Sequence, residues 1–236
     1  NKNIDIPDNK TLWKNEGNSK LTPNNDVILF WKNNQGLTFE KIIKIDNQYL
    51  FTIEQKIKNS SDKSYSFYPY AQIVRTKIPE IIDFFILHEG PLGVLDDQLI
   101  EKDYKDILDK KYSKNANNGF LGITDKYWLT SIIPQKNKKF RADFEYNEKF
   151  KVNYIETDQY ESKPNAQISN IVNVVVAAKE VNVIDGYNES LGLKKFDLVI
   201  DWGWFYWIVK PLFFLNDYFF KLAGNYGIAI ILITAC

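Results

Sequence analysis

Few residues in this chain of 236 could do chemistry, and their spacing limits what kind. A single histidine, His88, is followed directly by Glu89. A His–carboxylate pair could move protons on a sugar in a β-sandwich enzyme. Neighbours along a strand point to opposite faces, so the two share a pocket only if the following Gly90-Pro91 bends the chain. The favoured reading is a structural histidine beside a Gly-Pro turn. One His and one Cys, Cys236, make neither a two-histidine metal site nor an internal disulfide. Asp96-Asp97 and the Asp103/Asp106 pair read as turns or solvated faces rather than metal ligands. No GxxxxGK[ST], GxGxxG or GxSxG run occurs. Arg75 and Arg141, the two arginines, suit carboxylate pairing as well as anion binding. The sequence therefore predicts no catalytic residue, no cofactor and no metal ligand.

The elements that would position these residues are strands. After a polar segment over 1–20, expected as a loose lead-in, VILFW (27–31) is followed by the turn NNQG (33–36) and by LTFEKIIKI (37–45). Leu37, Phe39, Ile43 and Ile45 alternate onto one face. After Asp46-Asn47, Tyr49, Phe51, Ile53 and Ile57 do the same, giving an antiparallel meander with one wet face. A fourth strand over 64–75 carries Pro69, which demands an edge, a bulge or a bend. Residues 84–95 read as a strand broken at Glu89-Gly90-Pro91, and 99–112 as a helix or a charged loop. Two short strands surround Asp125-Lys126 within 120–134, and 140–147 with 150–160 forms a hairpin. A Val-rich strand begins at 168, with a helix expected to end near Gly192. Asp185-Gly186 reads as turn chemistry. FDLVID (196–201) reads as a last strand, with Phe196, Leu198 and Ile200 on one face. Eight or more short strands at this spacing predict a large β-sandwich.

Composition agrees with a folded domain, at 44% hydrophobic and 25% charged residues. A net charge of zero gives no push toward nucleic acid. The chain opens on Asn1 without an apolar leader and ends on the uncharged run GIAIILITAC. A spanning helix needs about 20 apolar residues. That run starts as a span does and stops midway, which predicts an internal piece of a longer protein.

The densest ring cluster lies between the last expected strand and that run. Trp202, Trp204, Phe205 and Trp207 precede Phe213, Phe214, Tyr218, Phe219 and Phe220. Pro211 suits a first helical turn, so a helix is expected from about Lys210 to about Leu222. At about 100° per residue, Lys210, Asp217 and Lys221 fall in one stripe about 40° wide. The remaining circumference is apolar apart from Asn216. Such an arc fits a helix lying in a membrane interface, with Trp and Tyr at headgroup depth. It also fits a core helix of a soluble domain, and the apolar run that follows tips the reading toward the membrane. Gly224 to Gly227 would be the bend between a helix on the surface and one entering the bilayer.

Several segments resemble, in order and spacing, the YidC-type membrane protein insertases of Gram-negative bacteria. They are QGLTFEKIIKIDNQYLFTIEQKIKN (35–59), ILHEGPLGVLD (86–96), NGFLGITDKYWLTSIIPQ (118–135), VVAAKEVNVIDGY (175–187) and 191–234. The resemblance runs from about Leu21 to Cys236. It implies a mainly β fold, a large antiparallel β-supersandwich like that of galactose mutarotases. An amphipathic interfacial helix and a truncated transmembrane helix would follow. The implied layout is a periplasmic domain over 1–201, an aromatic belt and interfacial helix over 202–223, and the start of a membrane helix over 224–236. The implied place is the bacterial inner membrane with this domain on the periplasmic side. Implied partners are nascent membrane proteins, the Sec translocon with its accessory subunits, and the lipid bilayer, with no nucleic acid. The residue expected to charge the family's insertion groove would lie beyond Cys236. A sugar-binding or mutarotase-like sandwich module is the alternative.

Overall fold

A computed structural model describes residues 4–78, 87–203 and 205–235. Two compact units are distinguished: one holds the sheets and ends at Val199, and the other begins its main stretch at Ile200.

In the first unit the expected meander is β2 (Val27–Lys32), β3 (Leu37–Ile45) and β4 (Leu50–Asn59), preceded by β1 (Lys14–Glu16). The lead-in is thus less loose than expected. β1 pairs with β2, whose ladder groups would otherwise stand open at an edge. Side-chain turns set the register. The Asn33 Oδ1 accepts from the backbone N–H of Gln35 and of Leu37, both at 2.9 Å, and Gly36 takes φ 83°. Asp46 caps the next turn in the same way, accepting from Gln48 and Leu50.

Pro69 divides the fourth strand into β5 (Tyr65–Phe67) and β6 (Tyr70–Arg75), which belong to different sheets. A residue without an N–H cannot carry a ladder across, so the chain changes sheet there. Of the strand expected over 84–95, residues 84–86 lie outside the described residues, and the ladder begins at Gly90. β7 (Gly90–Leu95) and β8 (Gln98–Glu101) are joined by Asp96 and Asp97, both at positive φ (51° and 64°). That is hairpin-turn chemistry. The charged segment after it holds a short helix, α1 (Tyr104–Asp109), and then β9 (Tyr112–Ala116). β10 (Gly119–Thr124), β11 (Trp128–Pro134), β12 (Phe140–Asn147) and β13 (Lys149–Glu156) follow. Then come β14 (Tyr160–Ser162), β15 (Gln167–Ala178) and α2 (Val181–Ser190). Asp185-Gly186, read as a turn, lies inside α2, because Val181, Ile184 and Tyr187 present a buried helical stripe.

The strands assemble into a nine-stranded antiparallel sheet in the order β1-β2-β3-β4-β15-β11-β10-β7-β8. A four-stranded sheet, β6-β13-β12-β9, packs on it, and β14 with β5 makes a small third sheet. Leu121, Ile132 and Val172 of the large sheet share one buried cluster with Phe140, Phe144 and Tyr154 of the four-stranded sheet. Each side chain of this kind contributes roughly 1.5–3 kcal/mol when fully buried. An ion pair ties the layers at their margin. Arg75 on β6 grips Asp125, in the turn between β10 and β11, through both guanidinium nitrogens, and donates to the Tyr104 hydroxyl at 2.8 Å.

The opposite face of the large sheet is covered as well. Phe196 meets Phe120 edge-on at 4.9 Å, and the Tyr187 hydroxyl donates to Asp46 at 2.8 Å. The last expected strand is absent. Phe196–Val199 is a 3-10 turn with Phe196 and Val199 buried. Residues three apart eclipse in a 3-10 turn, so this spacing plants both on the sheet, which strand alternation would not.

Candidate membrane-facing surface

The second unit is built on α3 (Tyr206–Ala223) and α4 (Tyr226–Thr234). α3 starts a full turn before the expected Lys210, so Tyr206 and Trp207 of the expected aromatic belt are already helical. Pro211 sits inside the helix instead of in its first turn. Its missing N–H forfeits one backbone bond. The helix stops where expected. Gly224 takes the left-handed conformation, φ 66°, and its N–H bonds the Phe220 carbonyl. Asn225 then caps α4, its Oδ1 accepting from Gly227 at 2.7 Å and Ile228 at 3.3 Å.

No residue of α3 is buried, although its sequence is mostly apolar. Trp207 is 71% exposed and Leu222 equally so. Phe205, Phe213, Phe214 and Tyr218 are exposed too, while Phe219 and Phe220 are half-covered. Trp204 lies outside the described residues. The rings touch one another locally. Trp202 meets Phe213 edge-on at 5.5 Å, Phe213 meets Phe214 at 5.9 Å, and Tyr218 tilts on Phe219 at 5.9 Å. Phe220 stacks on Tyr226 at 3.9 Å and joins α3 to α4. Tyr226 was not among the expected site residues, and neither were the exposed Leu212, Leu215, Ile228, Ile230 and Ile231. Their apolar character was visible in the sequence, but an aromatic count passes over aliphatic side chains.

The charges form one strip. Asp217 and Lys221 pair at 2.6 Å one turn apart, and the Lys210 ammonium lies 5.8 Å from both the Trp202 and Tyr206 ring centroids. Among the described residues no helix is long and apolar enough to cross a membrane.

The chemistry-bearing residues of the first unit pair within the sandwich. His88 Nε2 lies 3.3 Å from the Pro91 carbonyl oxygen, beside the Gly90-Pro91 bend. Arg141 pairs with Asp143 at 3.1 Å, as Arg75 does with Asp125. Asp143 is buried and receives Ser113 Oγ at 2.6 Å and Lys111 Nζ at 2.9 Å. Burial pushes its carboxyl pKa up, but the Ser113 and Lys111 hydrogen bonds outweigh that and hold it below the ordinary value. Among the described residues no His/Cys/Asp/Glu group could hold a metal ion.

The family model described as "YidC periplasmic domain" matches residues 1–215, taking in all three sheets and the first half of α3. The chain belongs to the YidC periplasmic-domain family. Relatives named "Membrane protein insertase YidC" agree. The one from Pelagibacter ubique is 60% identical over 236 residues, covering 100% of this chain and 42% of its own length. The one from Rickettsia prowazekii is 40% identical, covering 98% of this chain and 42% of its own length. The chain thus spans about two fifths of these YidC relatives. Among solved structures, a galactose mutarotase related enzyme from Lactobacillus acidophilus matches with a TM-score of 0.50 at 11% identity, covering 70% of each chain. That likeness shows a shared antiparallel sandwich fold and nothing about chemistry.

Proposed function

We propose that this chain is the periplasmic scaffold and membrane-surface part of an insertase that helps nascent membrane proteins enter and fold in the bacterial inner membrane. In this reading the sandwich (1–201) is not an enzyme. It holds and docks partners such as the Sec translocon and its accessory subunits. The 202–223 segment lies on the periplasmic bilayer surface, with Lys210, Asp217 and Lys221 toward water. Residues 224–236, including α4, open a membrane span.

One observation carries the reading: an 18-residue helix, apolar around most of its circumference, has no buried residue. Contiguous apolar surface of this kind marks an interaction or membrane site. The bordering Trp and Tyr side chains suit headgroup depth, where an apolar ring and a polar tip are both satisfied. The gathering of all three charges into one strip separates α3 from a spanning helix, which would have no polar face.

The test is fluorescence quenching by vesicles of brominated anionic lipid. Emission from Trp202, Trp204 and Trp207 should be quenched, and a variant with these three changed to Phe should lose the quenching. Equal quenching of that variant, whose emission comes from Trp13, Trp31 and Trp128, would sink the proposed orientation.

A further inference from the structure

We infer that the cleft over β3, β4 and β15 docks a proline-containing polyproline II segment of a partner protein, an acidic residue of that segment pairing with Lys41. This adds a site and a ligand chemistry to the docking role proposed for the sandwich. Aromatic side chains dominate the lining: Trp13, Phe39, Phe67, Tyr68, Tyr70 and Tyr160. Tyr68 and Tyr70 are 55% and 45% exposed and flank Pro69. The Tyr70 carbonyl accepts from Gln55 Nε2 at 3.3 Å, which sets this Tyr-Pro-Tyr wall over the floor of the cleft. A polyproline II segment has no internal hydrogen bonds and is ordered before it binds, so flat rings capture its pyrrolidines at low entropic cost.

The chain itself supplies an example of the fit. Ile6-Pro7 lines the same cleft, outside any strand or helix. Asp5 holds it there: its N–H donates to Gln35 Oε1 and its carbonyl accepts from Asn33 Nδ2, both at 2.9 Å. The residue before a proline is biased to extended or polyproline II backbone, so a step of the proposed kind already packs on this cleft. The size agrees. The floor is three strands wide, two gaps of about 4.8 Å, and one polyproline II turn of three residues spans about 9 Å.

Charge narrows the choice of occupant. Glu40 and Lys56, also in the lining, are paired with Lys58 at 2.6 Å and with Glu54 at 3.3 Å. Lys41 has no carboxylate partner among the described residues, and its ammonium lies 4.6 Å from the Trp13 ring centroid. Burial lowers the Lys41 pKa, so its charge is incompletely solvated and a carboxylate brought by the occupant stabilises it. The Tyr68 hydroxyl and the Trp13 indole N–H are donors for the segment's carbonyls. A β-strand fits less well. β3, β4 and β15 each have a neighbour on both sides, so their backbone groups offer no open ladder.

The test uses the whole chain without vesicles, so its failure leaves the membrane placement untouched. Fluorescein-labelled peptides of sequence APPEPPA, APPKPPA, AGGEGGA and VTVTVTV are titrated by anisotropy. APPEPPA should bind, and the Lys-for-Glu and Gly-for-Pro peptides should each bind about tenfold more weakly. Tyr68→Ala, at an exposed position compatible with folding, should weaken APPEPPA about tenfold. Lys41→Gln should erase the preference for APPEPPA over APPKPPA. No binding of APPEPPA would overturn the inference, as would equal binding of AGGEGGA or tighter binding of the strand-forming VTVTVTV. So would binding unchanged by Tyr68→Ala, or a Glu preference that survives Lys41→Gln.

Discussion

Replacing Leu212 and Leu215 together by Asp should weaken vesicle binding about a thousandfold. The two lie about 200° and 140° around α3 from Lys210, on the side opposite the charged strip. They are 45% and 36% exposed. Fully burying a leucine contributes about 1.5–3 kcal/mol, so covering the exposed part of each is worth about 1 kcal/mol. Each new carboxylate also meets an anionic lipid surface, where a unit charge is worth about 1 kcal/mol. The total is about 4 kcal/mol, or about three decades in partitioning. Flotation with anionic liposomes over a lipid titration measures it, and thermal unfolding of the sandwich is the control. Exposed side chains seldom shift stability by more than about 0.5 kcal/mol, so the melt should be unchanged. Ile228, Ile230 and Ile231 on α4 remain exposed and should leave weak residual binding. A loss of less than about tenfold, with the fold intact, would refute the placement of α3 in the interface.

Other perturbations probe the sandwich. A Cβ at Gly119, where φ is 123°, would lie 1.8 Å from the Val94 carbonyl oxygen, so Gly119→Ala should cost about 1–3 kcal/mol by denaturant melt. Asp125→Ala should cost about 1–2 kcal/mol by freeing Arg75, and a double-mutant cycle with Arg75→Met should recover most of that as coupling. Asp143 titrates below its ordinary value when folded. Its contribution to stability is complete above the unfolded pKa near 3.9 and is lost as pH falls through the folded one. Asp143→Asn should therefore flatten the acid limb of the stability–pH curve, measured as melting temperature between about pH 5 and pH 2.

Much of this molecule was legible as local pattern. A short apolar run located β2, period-two alternation located β3 and β4, Asn33 and Asp46 declared their turns, and Pro69 announced a break. Gly224 and Asn225 marked where α3 ends and α4 begins, because capping depends on the residue itself and a few neighbours. Sequence motifs long enough to be specific also placed the chain in its family. What needed the tertiary structure was whatever depends on a partner far along the chain. Phe196 to Val199 alternates like a strand, yet Phe120 receives Phe196, and a 3-10 turn plants both buried residues where a strand would plant one. The start of α3 was misplaced because proline's rule for first turns is a preference, and the apolar residues before it extend the helix. The pairing of β4 with β15 was invisible in sequence. Lys41, Gln55 and Asn170 are ordinary polar residues until antiparallel register, set by turns and core packing well over a hundred residues apart, lines them up in one row.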